Sequence, residues 1–132
     1  LVELGTKVKG VGLGIGYELL GSDDGKKAFS TPLATLHKFQ GWADKFLVTP
    51  ADGIEDLYLS LAGALGPVKL AAIYHDFQAE DSSTDYGSEI NLVANWAYDS
   101  NWSFQLKFAS FSSDSSAYTD TDKAWMTVNF KI

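Results

Sequence analysis

Residues 102–109 read WSFQLKFA, and large apolar side chains occupy every second position of this stretch. They are Trp102, Phe104, Leu106 and Phe108. The residues between them are polar or small. Successive side chains of an extended chain point to opposite faces, so this alternation predicts a β-strand with one apolar face and one polar face.

The same period of two recurs along most of the chain, and near the C-terminus Met126, Val128 and Phe130 alternate with polar neighbours. Strands are predicted at roughly 7–20, 54–64, 67–78, 88–98, 101–112 and 122–132. Residues 1–4 are interpreted as the end of an earlier strand that turns near Gly5 and Thr6. The sequence therefore predicts one all-β domain over residues 1–132.

The connections between the predicted strands are alternately short and long. Residues 63–67 and 99–101 are rich in Gly, Pro, Asn and Asp, which predicts tight turns. The longer connections span residues 21–53, 79–87 and 113–121. In an antiparallel up-and-down sheet, the short turns then share one end and the long loops share the other, as in outer-membrane β-barrels. We expect a transmembrane barrel with extracellular long loops and a periplasmic C-terminus.

Aromatic residues fall near both ends of the predicted strands. They form a predicted girdle at the two membrane interfaces: Tyr17, Tyr74, Trp96, Tyr98, Trp102, Phe108 and Phe130. The alternative is a soluble β-sandwich or secreted binding module, in which the same rings would fill the core. The segregation of turn lengths favours the barrel. Outer-membrane lipid and lipopolysaccharide are then the expected partners.

The long connection 21–53 has a pattern unlike the strands. Ser30 and Thr31 precede Pro32, and apolar residues follow at helical spacing, which predicts a short helical segment. A second short helix is predicted over residues 42–47. A loop of this size is expected to pack on something. Six residues are predicted to form either a constriction inside the barrel mouth or a cap over the loops: Leu33, Leu36, His37, Phe39, Trp42 and Phe46.

The polar face of the predicted strands is the candidate functional surface. Its residues are predicted to line the pore: Glu18, Lys69, His75, Glu89, Asn91, Asn95, Gln105, Lys107, Thr127, Asn129 and Lys131. Side chains of this kind set selectivity through charge and pore width. A polar wall of mixed charge suits small hydrophilic solutes or oligosaccharides that cross by diffusion.

The composition argues against several other classes of protein. The net charge is -7 and all ten basic residues are Lys, so nucleic acid is not an expected partner. The chain has no Cys and therefore no disulfide or thiolate chemistry. No apolar run reaches the ~20 residues of a transmembrane helix. The only histidines are His37 and His75, and no nucleophile-elbow motif occurs, so no catalytic residue, metal or cofactor is expected.

The loop motif resembles a known family. Residues 31–47 read TPLATLHKFQGWADKFL, and residues 49–58 read TPADGIEDLY; both are similar to alginate-export-type outer-membrane porins of Gram-negative bacteria. Residues 16–18, 74–77 and 120–123 fit the same C-terminal region. The resemblance implies a monomeric outer-membrane barrel with many more strands than this chain supplies.

Closure of the sheet leads to the same expectation. About eight strands form the smallest barrel with a workable interior. Fewer strands leave open edges, and unpaired backbone groups are too costly in hydrocarbon. We therefore expect this chain to be the C-terminal part of a larger barrel, partnered by further N-terminal strands.

Overall fold

The computed structural model describes residues 1–30 and 40–132, which form a single antiparallel sheet. Its strands follow the chain order: β1 Val2–Val8, β2 Val11–Leu20, β3 Ile54–Leu65, β4 Val68–Gln78, β5 Asp85–Ala97, β6 Trp102–Ser113 and β7 Thr121–Phe130. The prediction of an all-β, antiparallel, up-and-down architecture is confirmed. Within the described ranges, no helix has the length and apolar character needed to cross a membrane.

The predicted strand at 7–20 is wrong, because the structure divides this region into β1 and β2. The turn lies at Lys9 and Gly10, whose φ angles are 49° and 88°. Two successive positive φ angles define the tight type I′ hairpin turn, which matches the twist of the flanking strands. The predicted turn site, by contrast, lies inside the ladder, where Gly5 pairs with Gly14.

The predicted helix over residues 42–47 is also wrong. Residues 40–53 contain turns and bends, and no helix is present in them. Gln40 and Asp44 have φ angles of 57° and 58°, which belong to the left-handed region and interrupt a right-handed helix. The helical segment predicted around Leu33, Leu36, His37 and Phe39 lies outside the described residues.

The strand register separates two faces of the sheet. In each antiparallel pair, directly opposite residues share a face, so Leu13, Leu61 and Ala72 lie side by side. We call this side the apolar face. All predicted girdle residues within the strands belong to it: Tyr17, Tyr74, Trp96, Trp102, Phe108 and Phe130. Tyr98 lies in the turn after β5.

The large side chains of the apolar face are exposed. Leu4 on β1 and Met126 on β7, at opposite edges of the sheet, each have 71% of their surface accessible. The opposite side, which we call the polar face, carries most of the buried residues, including Phe77, Phe111 and Glu89. The core of the described chain therefore lies on the polar face, which is the reverse of a soluble sheet packed through its apolar side.

The segregation of the connections is confirmed. Residues 9–10, 66–67 and 98–101 are short turns at one end of the sheet. Residues 21–53, 79–84 and 114–120 join the strands at the other end. The sheet is open, because among the described residues β1 pairs only with β2 and β7 pairs only with β6.

Replacement of Gly87 by Ala is expected to lower the free energy of unfolding. The φ of Gly87 is 126°, and an added Cβ would lie 2.1 Å from the carbonyl oxygen of Ser112. Strain of this kind costs about 1–3 kcal/mol. Gly12→Ala is the matched control, since the nearest atom to its added Cβ is 3.7 Å away. Urea titration of both variants followed by Trp fluorescence checks this, and equal midpoints would contradict it.

Candidate functional site

Residues 40–47, which we call the covering segment, pack against the polar face at the long-loop end of the sheet. Phe46 is 1% exposed, and its ring centroid lies 4.7 Å from that of Phe77 and 5.1 Å from that of Tyr118. Tyr86 and Phe111 complete the cluster at 5.7 and 6.0 Å from Phe46. Burial raises the pKa of the Tyr118 phenol.

A buried carboxylate fixes the backbone of the covering segment. Glu89 of β5 is 1% exposed, and one of its oxygens accepts the backbone N–H groups of Trp42 and Ala43, the latter at 2.9 Å. A Cβ on Gly41 would lie 2.5 Å from the other carboxylate oxygen, so only glycine allows this approach. Two N–H donors from adjacent residues of the covering segment thus converge on one acceptor oxygen of Glu89.

Two lysines extend the attachment toward β6 and β7. Lys123 Nζ lies 3.0 Å from a carboxylate oxygen of Asp44. Lys107 Nζ lies 4.2 Å from the ring centroid of Trp42 and 5.3 Å from that of Trp125. Cation–π contacts favour this placement of an ammonium group over aromatic faces. The covering segment is therefore held by aromatic packing, by Glu89 and by cationic side chains.

These contacts locate two of the residues predicted for the loop. Trp42 and Phe46 lie against the polar face of the sheet. Leu33, Leu36, His37 and Phe39 lie outside the described residues. Their contribution to a constriction or a cap stays a prediction.

Ten of the residues predicted to line the pore share the polar face: Glu18, Lys69, His75, Glu89, Asn91, Asn95, Gln105, Lys107, Thr127 and Asn129. Lys131 follows the end of β7. The ten residues on the polar face do not share one environment. His75, Glu89 and Asn91 are buried, whereas Lys69 and Thr127 near the short-turn end are exposed. The polar face therefore has a covered half, at the long loops, and an open half, at the short turns.

A cavity of 260 Å³ opens between the covering segment and strands β1 to β4. Its polar lining includes three carboxylates, those of Glu3, Glu18 and Asp56, together with His75, Tyr58 and Gln40. His75 Nδ1 lies 2.9 and 3.0 Å from the two carboxylate oxygens of Asp56. The Tyr58 hydroxyl donates a hydrogen bond to Glu3.

Seven residues of this cavity were missed by the sequence analysis: Glu3, Gln40, Gly41, Asp56, Tyr58, Ser60 and Ile73. A signal existed for Asp56 and Tyr58, since the alternation of β3 places both on the polar face. Glu3 was missed because its strand was not recognised. Nothing local in the sequence marks Gln40, whose burial depends on the packing of the covering segment.

The cavity does not have the character of a metal centre. Within residues 1–30 and 40–132, no group of three or more His, Cys, Asp or Glu side chains is arranged to hold a metal ion. The imidazole of His75 is paired with the carboxylate of Asp56. The residues on either side of Asp56 in the sequence point to the apolar face. Asp76, which follows His75 in the sequence, lies on the opposite face of the sheet.

Comparison with protein-family models, with curated proteins and with solved structures gives no match for this chain. The resemblance to alginate-export-type porins therefore rests on the loop and strand residues quoted above, and it stays a prediction.

Phe46→Ala is expected to destabilise the protein by about 3–5 kcal/mol, because it removes the ring at the centre of the aromatic cluster. Phe29→Ala is the matched control, since Phe29 is 62% exposed. Chemical denaturation measures the loss for each variant, and hydrogen exchange of the Ala43 amide reports release of the covering segment. Equal stability of the two variants would show that Phe46 does not hold the segment.

Proposed function

We propose that this chain forms part of the wall of an outer-membrane porin through which small hydrophilic solutes or oligosaccharides diffuse. In this proposal, lipid contacts the apolar face and water contacts the polar face. The observation that carries the proposal is the inversion of the sheet. Its large apolar side chains are exposed, while a loop and a polar network are packed on the opposite face.

The extent of the apolar face supports lipid as its partner. On β3, Leu57, Leu59, Leu61 and Leu65 are all exposed along a nine-residue stretch. A barrel strand spans the hydrocarbon with about 9–11 residues. Soluble monomers rarely expose continuous apolar patches larger than a few hundred Å². A face of this size requires a cover, and lipid supplies one for every strand at once.

The two ends of the apolar face also match a membrane. At the long-loop end the residues of this face become polar: Glu55, Asp76, Ser88, Ser110 and Asp122. At the short-turn end, Tyr98 lies in the turn between Trp96 and Trp102. Trp102 packs on Phe130 with ring centroids 4.6 Å apart. Amphipathic rings of this type concentrate at the level of the lipid headgroups.

The competing class is a soluble β-sandwich or secreted binding module. A sandwich buries its apolar faces between two packed sheets. Here all the strands of the described chain belong to one sheet, in sequence order. The described chain would therefore need a separate sheet to cover its apolar face, whereas the barrel needs only continuation of the same hydrogen-bonding pattern.

Continuation of that pattern is part of the proposal. The outer edges of β1 and β7 present unpaired backbone groups, which hydrocarbon does not tolerate. Further strands of the same barrel, N-terminal to these, would pair with both edges. The long loops would then be extracellular, next to lipopolysaccharide, and the end of β7 would be periplasmic.

The covering segment sets the width of the proposed pore. Because Trp42, Ala43 and Phe46 lie on the polar face, they occupy space that a closed barrel would enclose as lumen. The open half of the face carries Lys69, Gln105 and Thr127, which would contact the passing solute. Catalysis has no place in this proposal.

Two measurements on the full-length protein test the proposal. A barrel resists SDS until it is boiled, so its electrophoretic mobility should change on heating. The same preparation, in a planar bilayer with KCl, should give stepwise conductance. A protein that is soluble without detergent, migrates identically with and without boiling, and gives no conductance would contradict the porin.

Loss of the Glu89 carboxylate should loosen the constriction. Glu89→Ala removes the acceptor of the Trp42 and Ala43 N–H groups, so the covering segment should move and the open-channel current should fluctuate more. Ser88→Ala is the control, since Ser88 is adjacent but belongs to the apolar face. Bilayer recordings compare the two current-noise spectra. Equal noise in both variants would show that Glu89 does not fix the segment in the pore.

A further inference from the structure

We infer that the open half of the polar face binds the hydroxyl groups of a neutral sugar ring. The site is a cavity of 260 Å³ at the short-turn end, formed by β4 to β7 and separate from the cavity beneath the covering segment. The inference rests on the proposed function, because this cavity opens on the face that would line the pore. It selects neutral sugars from the hydrophilic solutes that such a pore would pass.

The strand register brings the polar groups of this cavity together. Lys69, Asn95 and Gln105 lie side by side on β4, β5 and β6. Ser103 and Asn129 form the next row toward the short turns, and all five residues line the cavity. Neighbouring strands are about 4.8 Å apart, so the side chains of one row are close enough to contact the same small ring.

Hydrogen bonds between side chains orient the amide groups. Gln105 Nε2 donates to Asn95 Oδ1 at 2.7 Å, and Asn129 Nδ2 donates to Ser103 Oγ at 3.4 Å. These bonds leave the amide nitrogen of Asn95 and the amide oxygen of Gln105 for a ligand. Both side chains are only half-buried, so a solute in the cavity can reach them. A hydroxyl group both donates and accepts, and neighbouring hydroxyls of a sugar can therefore use the two amides together.

The charge of the lining favours a neutral solute over an ion. Among the described residues that line the cavity, Lys69 alone is charged, so no carboxylate is there to attract a cation. The guanidinium fork of Arg is the group best suited to bind a carboxylate or phosphate, and the chain has no Arg. The ammonium group of Lys69 can instead donate to a sugar hydroxyl.

The size and position of the cavity also suit one sugar ring. A volume of 260 Å³ is slightly below the range of about 300–1,000 Å³ typical of drug-sized ligands. A single ring, alone or as one unit of an oligosaccharide, matches that space. None of residues 40–47 lines this cavity, so the covering segment leaves it open.

Saturation-transfer NMR of the full-length protein, in a detergent without sugar groups, tests the inference with methyl α-glucoside as the probe. Asn95→Ala and Gln105→Ala should each weaken binding at least fivefold, because each removes an amide that bonds the hydroxyls. Gln78→Ala is the matched control: it makes the same substitution on the apolar face at the long-loop end of β4, and it should leave the affinity unchanged. Lys69→Gln retains a donor without the charge, and its affinity should stay within twofold.

Three outcomes would overturn the inference: no binding of methyl α-glucoside, equal weakening by Gln105→Ala and Gln78→Ala, or a loss above twofold in Lys69→Gln. The last would show that the charge of Lys69 governs the site. Bilayer conductance of the same preparation reports separately on the pore. Normal conductance without glucoside binding overturns the site alone, whereas binding without conductance contradicts the porin and retains the site.

Discussion

The hydrogen-bonded register of the sheet is the constraint on which every other feature depends. Side chains alternate with a period of two, so a slip of one residue in any strand would move its whole apolar set to the polar face. The register keeps Leu59, Tyr74 and Ile90 side by side across three strands. It also brings Glu89 opposite His75, which assembles polar groups that lie far apart in the chain.

The separation of the apolar face from the polar face explains why the covering segment packs where it does. The apolar face has a composition that suits lipid, and it offers no partner for the polar backbone of a loop. The polar face offers both an aromatic cluster around Phe77 and Phe111 and the carboxylate of Glu89. The covering segment fits this face because Phe46 enters the aromatic cluster and its backbone N–H groups bind the Glu89 carboxylate. The covered half of the polar face and the acid-lined cavity both result from the packing of this segment on the sheet.

The sequence predicted the strands well because alternation is a local signal, repeated in each strand. The prediction failed where the structure depends on the conformation of single backbone residues or on contacts between residues far apart in the sequence. The Lys9 and Gly10 turn lies within a run of alternating residues that reads as one strand, and the missing turn concealed Glu3 on β1. Apolar spacing over residues 42–47 suggested a helix, but left-handed residues at Gln40 and Asp44 prevent it. Burial of Glu89 depends on contacts 46 and 47 residues apart in sequence.

The central claim is that lipid contacts one face and water the other, and the four tryptophans allow a direct test. Trp96 and Trp102 lie on the apolar face, whereas Trp42 and Trp125 are on the polar side. Four variants that each retain one Trp, with Phe at the other three positions, are reconstituted into vesicles of phospholipid brominated on its acyl chains. Strong quenching of Trp96 and Trp102, with little quenching of Trp42 and Trp125, is predicted. Equal quenching of all four, or quenching confined to Trp42 and Trp125, would contradict the assignment of the two faces.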